Sequence, residues 1–366
     1  MKYQYELPPV IRFGCGVRFQ LPEILPPGGV LLVCGSHALP EAEKLRQILT
    51  VSHQVDIFTG FPAEVPLDQV DAARRAAEKA GATSIVSLGG GSAIDLGKAV
   101  SALRFEEFPC ADYFYGRRSA VAAKCFFAAL PTTAGTGSEA TANAVLHDPE
   151  TLIKQSLRTA GMMPDAALVD PELLFDAPPA VIAAPGMDAL TQAIESFTSR
   201  KADDFTRFYA SSAVRILLND LAGAFSGDRE KIISVCRASL MTGMAFGTSG
   251  LGAVHGLAHP LGSCGKIPHG MACAVLLTPV MRFNAARVPQ IYQALADAAG
   301  VAGVQELVAE ISSLRTCLGI PDDFKSHGFS AENKNFIIRN SRSGSMKCNP
   351  VELSDSDLAV ILDEIL

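Results

Sequence analysis

The chain has 366 residues, 48% of them apolar and 19% charged, which excludes a disordered or fibrous protein and allows two domains at roughly 100–200 residues each. A formal charge of -7 with no basic run longer than a pair such as Arg117-Arg118 excludes a general affinity for nucleic acid or anionic membrane. The nine cysteines contain no Cys-x-x-Cys, Met1–Glu6 has no apolar signal core, and runs such as Ala274–Leu277 are too short to cross a bilayer, so a reduced, cytoplasmic protein is expected.

In chain order, Val30–Cys34 is a short apolar run ending at Gly35-Ser36 and reads as a buried strand. Glu41–Leu49 follows a helical period. Gln54–Phe58 alternates as a strand, and Leu67–Ala80 is an Ala-rich helix. Ser84–Leu88 is the next strand, followed by Gly89-Gly90-Gly91-Ser92 and a helix from Ala93 to Leu103. Phe126–Leu130 is a further strand, stopped by Pro131. Strands alternating with helices predict a parallel sheet with crossover helices. Beyond Pro171 the character changes. Pro178-Pro179 and Pro185-Gly186 punctuate the start of long helical stretches at Asp188–Thr198, Phe205–Leu221 and Glu230–Thr242, and no strand is predicted from there to Leu366. The expected organisation is an α/β domain over 1–180 and an all-helical domain over 181–366.

Three glycines between a buried strand and a helix let backbone approach a pyrophosphate, with free N–H groups at the helix start. The same residues also suit a plain strand-to-helix turn. The loop is neither Gly-x-Gly-x-x-Gly nor a Gly-Lys-Ser/Thr phosphate loop. A second glycine- and hydroxyl-rich loop, Pro131–Glu139, again follows a strand. Together the two loops point to a nucleotide-type ligand.

Asp188 and Gln192 are four apart on a predicted helix and share a face, as do His255 and His259. His269 follows a Gly/Pro-rich stretch, Pro260 to Pro268, that could turn it back toward His255. A carboxylate with two or three imidazoles suits Fe(II) or Zn(II) with positions left for a substrate. Histidines near glycine turns also cap or hydrogen-bond backbone, and spacing does not choose between His255 and His259 as ligand.

Four stretches in this order resemble the iron-containing (group III) alcohol dehydrogenases: Gly89–Asp95, Pro131–Glu139, Gly186–Leu190 and His255–Gly262. The resemblance runs along nearly the whole chain. It implies an α/β dinucleotide-binding domain with a parallel sheet, an all-α C-terminal domain as in dehydroquinate synthase-like proteins, and a cleft between them. It also implies NAD(P) as cofactor, a divalent metal (Fe2+ or Zn2+), a small alcohol or aldehyde substrate, and a homodimer. By motif, Gly90, Gly91 and Ser92 would hold the pyrophosphate, Thr132, Thr133 and Thr136 would line the cofactor path, and Lys154 would reach the ribose. Gly35, Ser36 and Asp95 belong to the same cofactor-binding set. Asp188, His255 and His269 match three metal ligands of the family, with Gln192 at the position of a fourth. His259 matches a histidine beside the nicotinamide and substrate, the candidate for proton transfer.

The chain departs from the family at two positions. Gln192 replaces a histidine, and a neutral amide oxygen is a harder, weaker donor for these metals. Gly35-Ser36 replaces an acidic residue that would repel a 2′-phosphate, so NADP(H) becomes acceptable. The resulting expectation is a metal-dependent oxidoreductase moving hydride between NAD(P) and a primary alcohol or aldehyde. Its rivals are a metal-independent, maleylacetate-reductase-like enzyme, a dehydroquinate-synthase-like lyase, and a catalytically silent protein on the same fold.

Overall fold

The computed structural model describes residues 4–121, 123–151 and 153–366; the first three residues of the Met1–Glu6 stretch lie outside them. The chain divides into two compact units, one running to Thr133 and over Gly137–Leu174, the other comprising Ala134–Thr136 and Phe175–Leu366.

The first unit is built on strands β1 (Val10–Phe13), β2 (Gly29–Cys34), β3 (Gln54–Phe58), β4 (Ala82–Gly89), β5 (Phe126–Pro131) and β8 (Ala166–Val169), with a hairpin of β6 (Asn143–Asp148) and β7 (Ile153–Arg158). The six strands form one parallel sheet in the order β1-β8-β5-β4-β2-β3. Helices α1 (Leu39–Leu49), α2 (Leu67–Lys79), α3 (Gly91–Leu103) and α4 (Cys110–Phe114) complete it.

The pleat explains why β2 reads as a continuous apolar run. Val30, Leu32 and Cys34 pack with Ala42, Leu45 and Leu49 of α1, while Leu31 and Val33 pack on the other face with Val70, Ala73 and Ala77 of α2. Successive side chains thus enter different cores, as in any parallel strand covered on both faces. Gly97 allows α3 to lie directly on the sheet: a Cβ there would stand 2.0 Å from Ser87 Oγ and 2.7 Å from Phe127 Cε2.

The second unit is helical among its described residues: α5 (Pro179–Thr198), α6 (Asp204–Phe225), α7 (Arg229–Ser249), α8 (Ala253–Gly265), α9 (His269–Ala285), α10 (Pro289–Ala299), α11 (Val304–Cys317), α12 (Ala331–Asn340) and α13 (Asp355–Asp363). Asp203 caps α6 through a reciprocal box with Thr206, and Asp228 caps α7 by accepting from Glu230 N and Lys231 N. Two proline expectations need correction. Pro185 does not punctuate the start of a helix; it lies inside α5, as Pro260 lies inside α8. Each forfeits one i to i−4 bond, and the helix continues because the surrounding turns are buried among other helices. Among the described residues no helix is long and apolar enough to cross a membrane, and all nine cysteines are free thiols.

Candidate functional site

In the first unit the glycine loops meet at the sheet's C-terminal edge. Register pairs Cys34 with Leu88 and Gly89 with Pro131, so Gly35, Gly90 and Thr132 emerge side by side. The strand order reverses here: the chain leaves β2 toward β3 on one side and β4 toward β5 on the other. Parallel sheets bind ligands at such a reversal. Gly90 is the N-cap of α3, and a Cβ on it would lie 3.2 Å from Thr133 Cγ2. Gly91 and Ser92 form the helix's first turn, where unpaired N–H groups and the dipole favour an anion. Thr132, Thr133 and Thr136 are half-buried, and Gly35 and Ser36 follow β2 directly.

Two further residues of the expected cofactor-binding set have side-chain partners within the first unit. Asp95 is buried, and its carboxylate accepts from Ser138 Oγ at 2.6 Å and Val145 N at 2.9 Å. These bonds brace the chain after β5, as a buried carboxylate needs internal donors. Lys154 on β7 donates to Glu64 Oε1 at 2.6 Å, and Glu64 N in turn donates to Ser92 Oγ at 3.3 Å. Glu64 holds φ at 57°, a conformation rare outside glycine.

The brace extends to a fully buried lysine. Lys98 Nζ donates to Ser138 Oγ (2.7 Å), Thr141 Oγ1 (3.0 Å) and the Asn143 carbonyl (2.9 Å). Burial pushes its ammonium down to about 8, against the opposing pull of Asp95 and Glu139. Burial likewise pushes the Glu139 carboxyl up to about 7. Between the ordinary value of 4.5 and about 7, the folded chain keeps a proton that the unfolded chain has released. Stability therefore falls across that window as pH rises. Glu139→Gln should flatten this part of the profile in urea unfolding measured from pH 4.5 to 7; an unchanged slope would refute the assignment.

The second unit assembles a cluster from three helices. Asp188, Gln192 and Glu195 recur at i, i+4 and i+7 on one face of α5. His255 lies in the first turn of α8, and His269 opens α9 with Cys273 one turn on. Ligand atoms of Asp188, His255, His269 and Cys273 all lie within 4.8 Å of one another. His255 Nε2 is 3.2 Å and His269 Nε2 3.8 Å from Asp188 Oδ1. Cys273 Sγ is 3.8 Å from His255 Nε2 and 3.7 Å from His269 Nε2. His259 stands outside this group, its ring stacked on His269 at 5.0 Å and 9°. The chain reverses not at Pro260–Gly262, which are helical, but over Lys266–Pro268, where Lys266 takes φ 52° as the left-handed cap of α8.

Gln192 Nε2 donates to Asp188 Oδ2 at 3.1 Å, while its Oε1 is buried without a partner. Such an orphaned acceptor is costly unless a cation or donor completes it. Burial disfavours charge on His255, yet Cys273, Glu195 and Asp188 together hold its imidazolium well above the usual histidine range. Burial pushes the Cys273 thiol up to about 12. A divalent cation would bind here in exchange for those protons.

Glu195 and Cys273 carry no motif and were not singled out from sequence. The signal was helical spacing: Glu195 is seven residues after Asp188, and Cys273 four after His269. Glu195 Oε2 meets His255 Nδ1 at 2.6 Å, and its Oε1 accepts from Val254 N at 2.6 Å. It fixes the imidazole with Nε2 turned to Asp188, the usual support for a histidine ligand. Glu195→Gln keeps the size, but its single carbonyl oxygen cannot serve both the Val254 N–H and the His255 ring. Metal affinity should fall about 10–100-fold; a chelator-competition titration matching the parent chain would contradict this role.

Gly270 sets the approach of α9 to α5. A Cβ there would lie 2.2 Å from the Ala184 carbonyl oxygen and 2.7 Å from its carbon, both backbone atoms with nowhere to go. Gly270→Ala must displace the start of α9, and His269 with it. A loss of about 1–3 kcal/mol and weakened metal retention are expected, read from thermal unfolding and metal content. Full metal content with an unchanged melting temperature would rule out this steric account.

Residues 8–171 match the family described as iron-containing alcohol dehydrogenase, and residues 182–366 match the Fe-containing alcohol dehydrogenase family, C-terminal. The chain is 37% identical to the 1-propanol dehydrogenase PduQ of Citrobacter freundii over 251 residues, which cover 67% of this chain and 64% of that protein. It is 33% identical to the 1-propanol dehydrogenase PduQ of Salmonella typhimurium over 77% of this chain and 76% of that one. Among solved structures, the sulfoacetaldehyde reductase of Bifidobacterium kashiwanohense in complex with NAD+ superimposes with a TM-score of 0.91 at 30% identity, covering 99% of this chain and 98% of that one. The chain belongs to the iron-containing alcohol dehydrogenase family and is an oxidoreductase of the alcohol dehydrogenase and aldehyde reductase class.

Proposed function

We propose that this protein transfers hydride between NAD(P) and a short primary alcohol or its aldehyde, using a divalent metal held by Asp188, His255 and His269. The observation that carries the reading is the convergence of one carboxylate oxygen and two imidazole nitrogens from three helices. That donor set suits Zn(II) or Fe(II). The relatives named for 1-propanol and sulfoacetaldehyde, the latter bound to NAD+, support the substrate class and the cofactor.

When bound, the metal supplies Lewis-acid polarisation of the substrate oxygen. The chain's own residues do the rest. The N–H groups of Gly90, Gly91 and Ser92 bind the pyrophosphate, Thr132, Thr133 and Thr136 offer hydroxyls along the cofactor, and Lys154 serves the ribose. Asp95 acts at one remove by fixing Ser138 and Val145. His259, stacked on His269, moves the proton that accompanies hydride transfer. Gly35 and Ser36 offer no carboxylate against a 2′-phosphate, so both NAD and NADP are accepted. A homodimer in the cytoplasm is the proposed setting, consistent with the nine free thiols.

The test is nicotinamide absorbance with a panel of short aldehydes and NADH or NADPH, with zinc or ferrous iron supplied. Turnover with at least one aldehyde is expected. Absence of any change across the panel, in folded and metal-loaded protein, would sink the proposal.

A further inference from the structure

Resting on the reading that this centre holds a divalent metal, we propose that Cys273 is its fourth ligand, as a thiolate, and that the metal selected is zinc. Zinc binds nitrogen and oxygen at about 2.0–2.1 Å and sulfur at about 2.3 Å, tetrahedrally. Tetrahedral geometry then separates N/O donors by about 3.4 Å and a sulfur from a nitrogen by about 3.5 Å. The observed edges are 3.2 and 3.8 Å from Asp188 Oδ1 to the two imidazoles, and 3.8 and 3.7 Å from Cys273 Sγ to the same two nitrogens. These four edges lie within about half an ångström of the tetrahedral ones, and the remaining two separations are within 4.8 Å.

Gln192 is the rival donor, because its Oε1 is buried without a partner. Its Nε2, however, is directed at Asp188 Oδ2, which leaves Oδ1 toward the imidazoles. That is how a supporting hydrogen bond orients a ligand carboxylate. Donor chemistry separates the two arrangements: a thiolate is a softer, stronger donor to zinc than a neutral amide oxygen. Binding breaks the Cys273 S–H bond, forms the metal–sulfur bond and releases the proton to solvent. A thiolate with imidazoles selects zinc over ferrous iron.

The experiment needs no variant for its first arm. Protein expressed with zinc and iron both supplied should carry one zinc per chain. X-ray absorption at the zinc edge should show a sulfur scatterer at about 2.3 Å beside nitrogen and oxygen. After exchange with Co(II), the near-ultraviolet thiolate-to-cobalt charge-transfer band should be present in the parent chain, retained in Gln192→Ala and lost in Cys273→Ser. A shell of nitrogen and oxygen alone, or a band that survives Cys273→Ser, overturns the Cys273 assignment while leaving a metal site. Retention of no zinc or cobalt by the parent chain, or equal retention by Asp188→Ala, overturns the underlying metal reading instead.

Discussion

Replacing Asp188 with alanine should leave a folded chain that retains little metal and has lost about three orders of magnitude in kcat/KM. Asp188 is the one carboxylate in the four-donor cluster, and both imidazoles are measured against its Oδ1. Removing it takes away an anionic donor and the acceptor of the Gln192 amide at once. Lewis-acid polarisation contributes several kcal/mol to such reactions, and each 1.4 kcal/mol is roughly tenfold. Asp188→Asn keeps the shape but not the charge and should fall between the two. Metal per chain and kcat/KM, measured on the same preparations, decide the matter: parental turnover in a metal-free Asp188→Ala protein would end the metal-based mechanism.

Lys98→Met should be the most destabilising change outside the metal cluster. The lysine is fully buried, with three hydrogen bonds to the segment after β5 and an opposite charge at Asp95. Methionine fills the space but leaves the Asp95 carboxylate without its counter-charge and the Asn143 carbonyl without this donor. Leaving such buried acceptors unpaired costs about 1–3 kcal/mol, roughly 5 °C in melting temperature for a unit of this size. The segment that Lys98 holds begins only a few residues after Thr132 and Thr133, so KM for the nicotinamide should rise as well. A melting temperature within a degree of the parent would show that the ammonium is not structurally required.

The covered strands were legible because burial on both faces leaves continuous apolar runs, as in Val30–Cys34 and Phe126–Leu130. The four-residue strands β1 and β8 were not, since each is too short to show a period. The β6–β7 hairpin was hidden by the mixed polarity of its strands, β6 partly buried and β7 largely exposed. In the helical unit, spacing put Asp188 and Gln192 on one face, and the motif order pointed to His255. What spacing could not show was which residues of neighbouring helices meet. Glu195 looked like an ordinary helix acid, and Cys273 lay inside an apolar stretch that predicts only burial. Their roles arise from the packing of α8 and α9 against α5, which Gly270 permits. Asp95 sits in a motif shared with cofactor-binding loops, and spacing could not show that its carboxylate accepts from Ser138 and Val145.

Glu195 divides its two oxygens between the His255 ring and the first turn of α8. The ring therefore cannot swing away from the cluster without also disturbing the carboxylate that satisfies the helix start, and fraying of that turn would release the ring. Orientation of a ligand and integrity of a helix end become one event. A change that shifts Glu195 therefore acts on the His255 ring and on the Val254 end of α8 together.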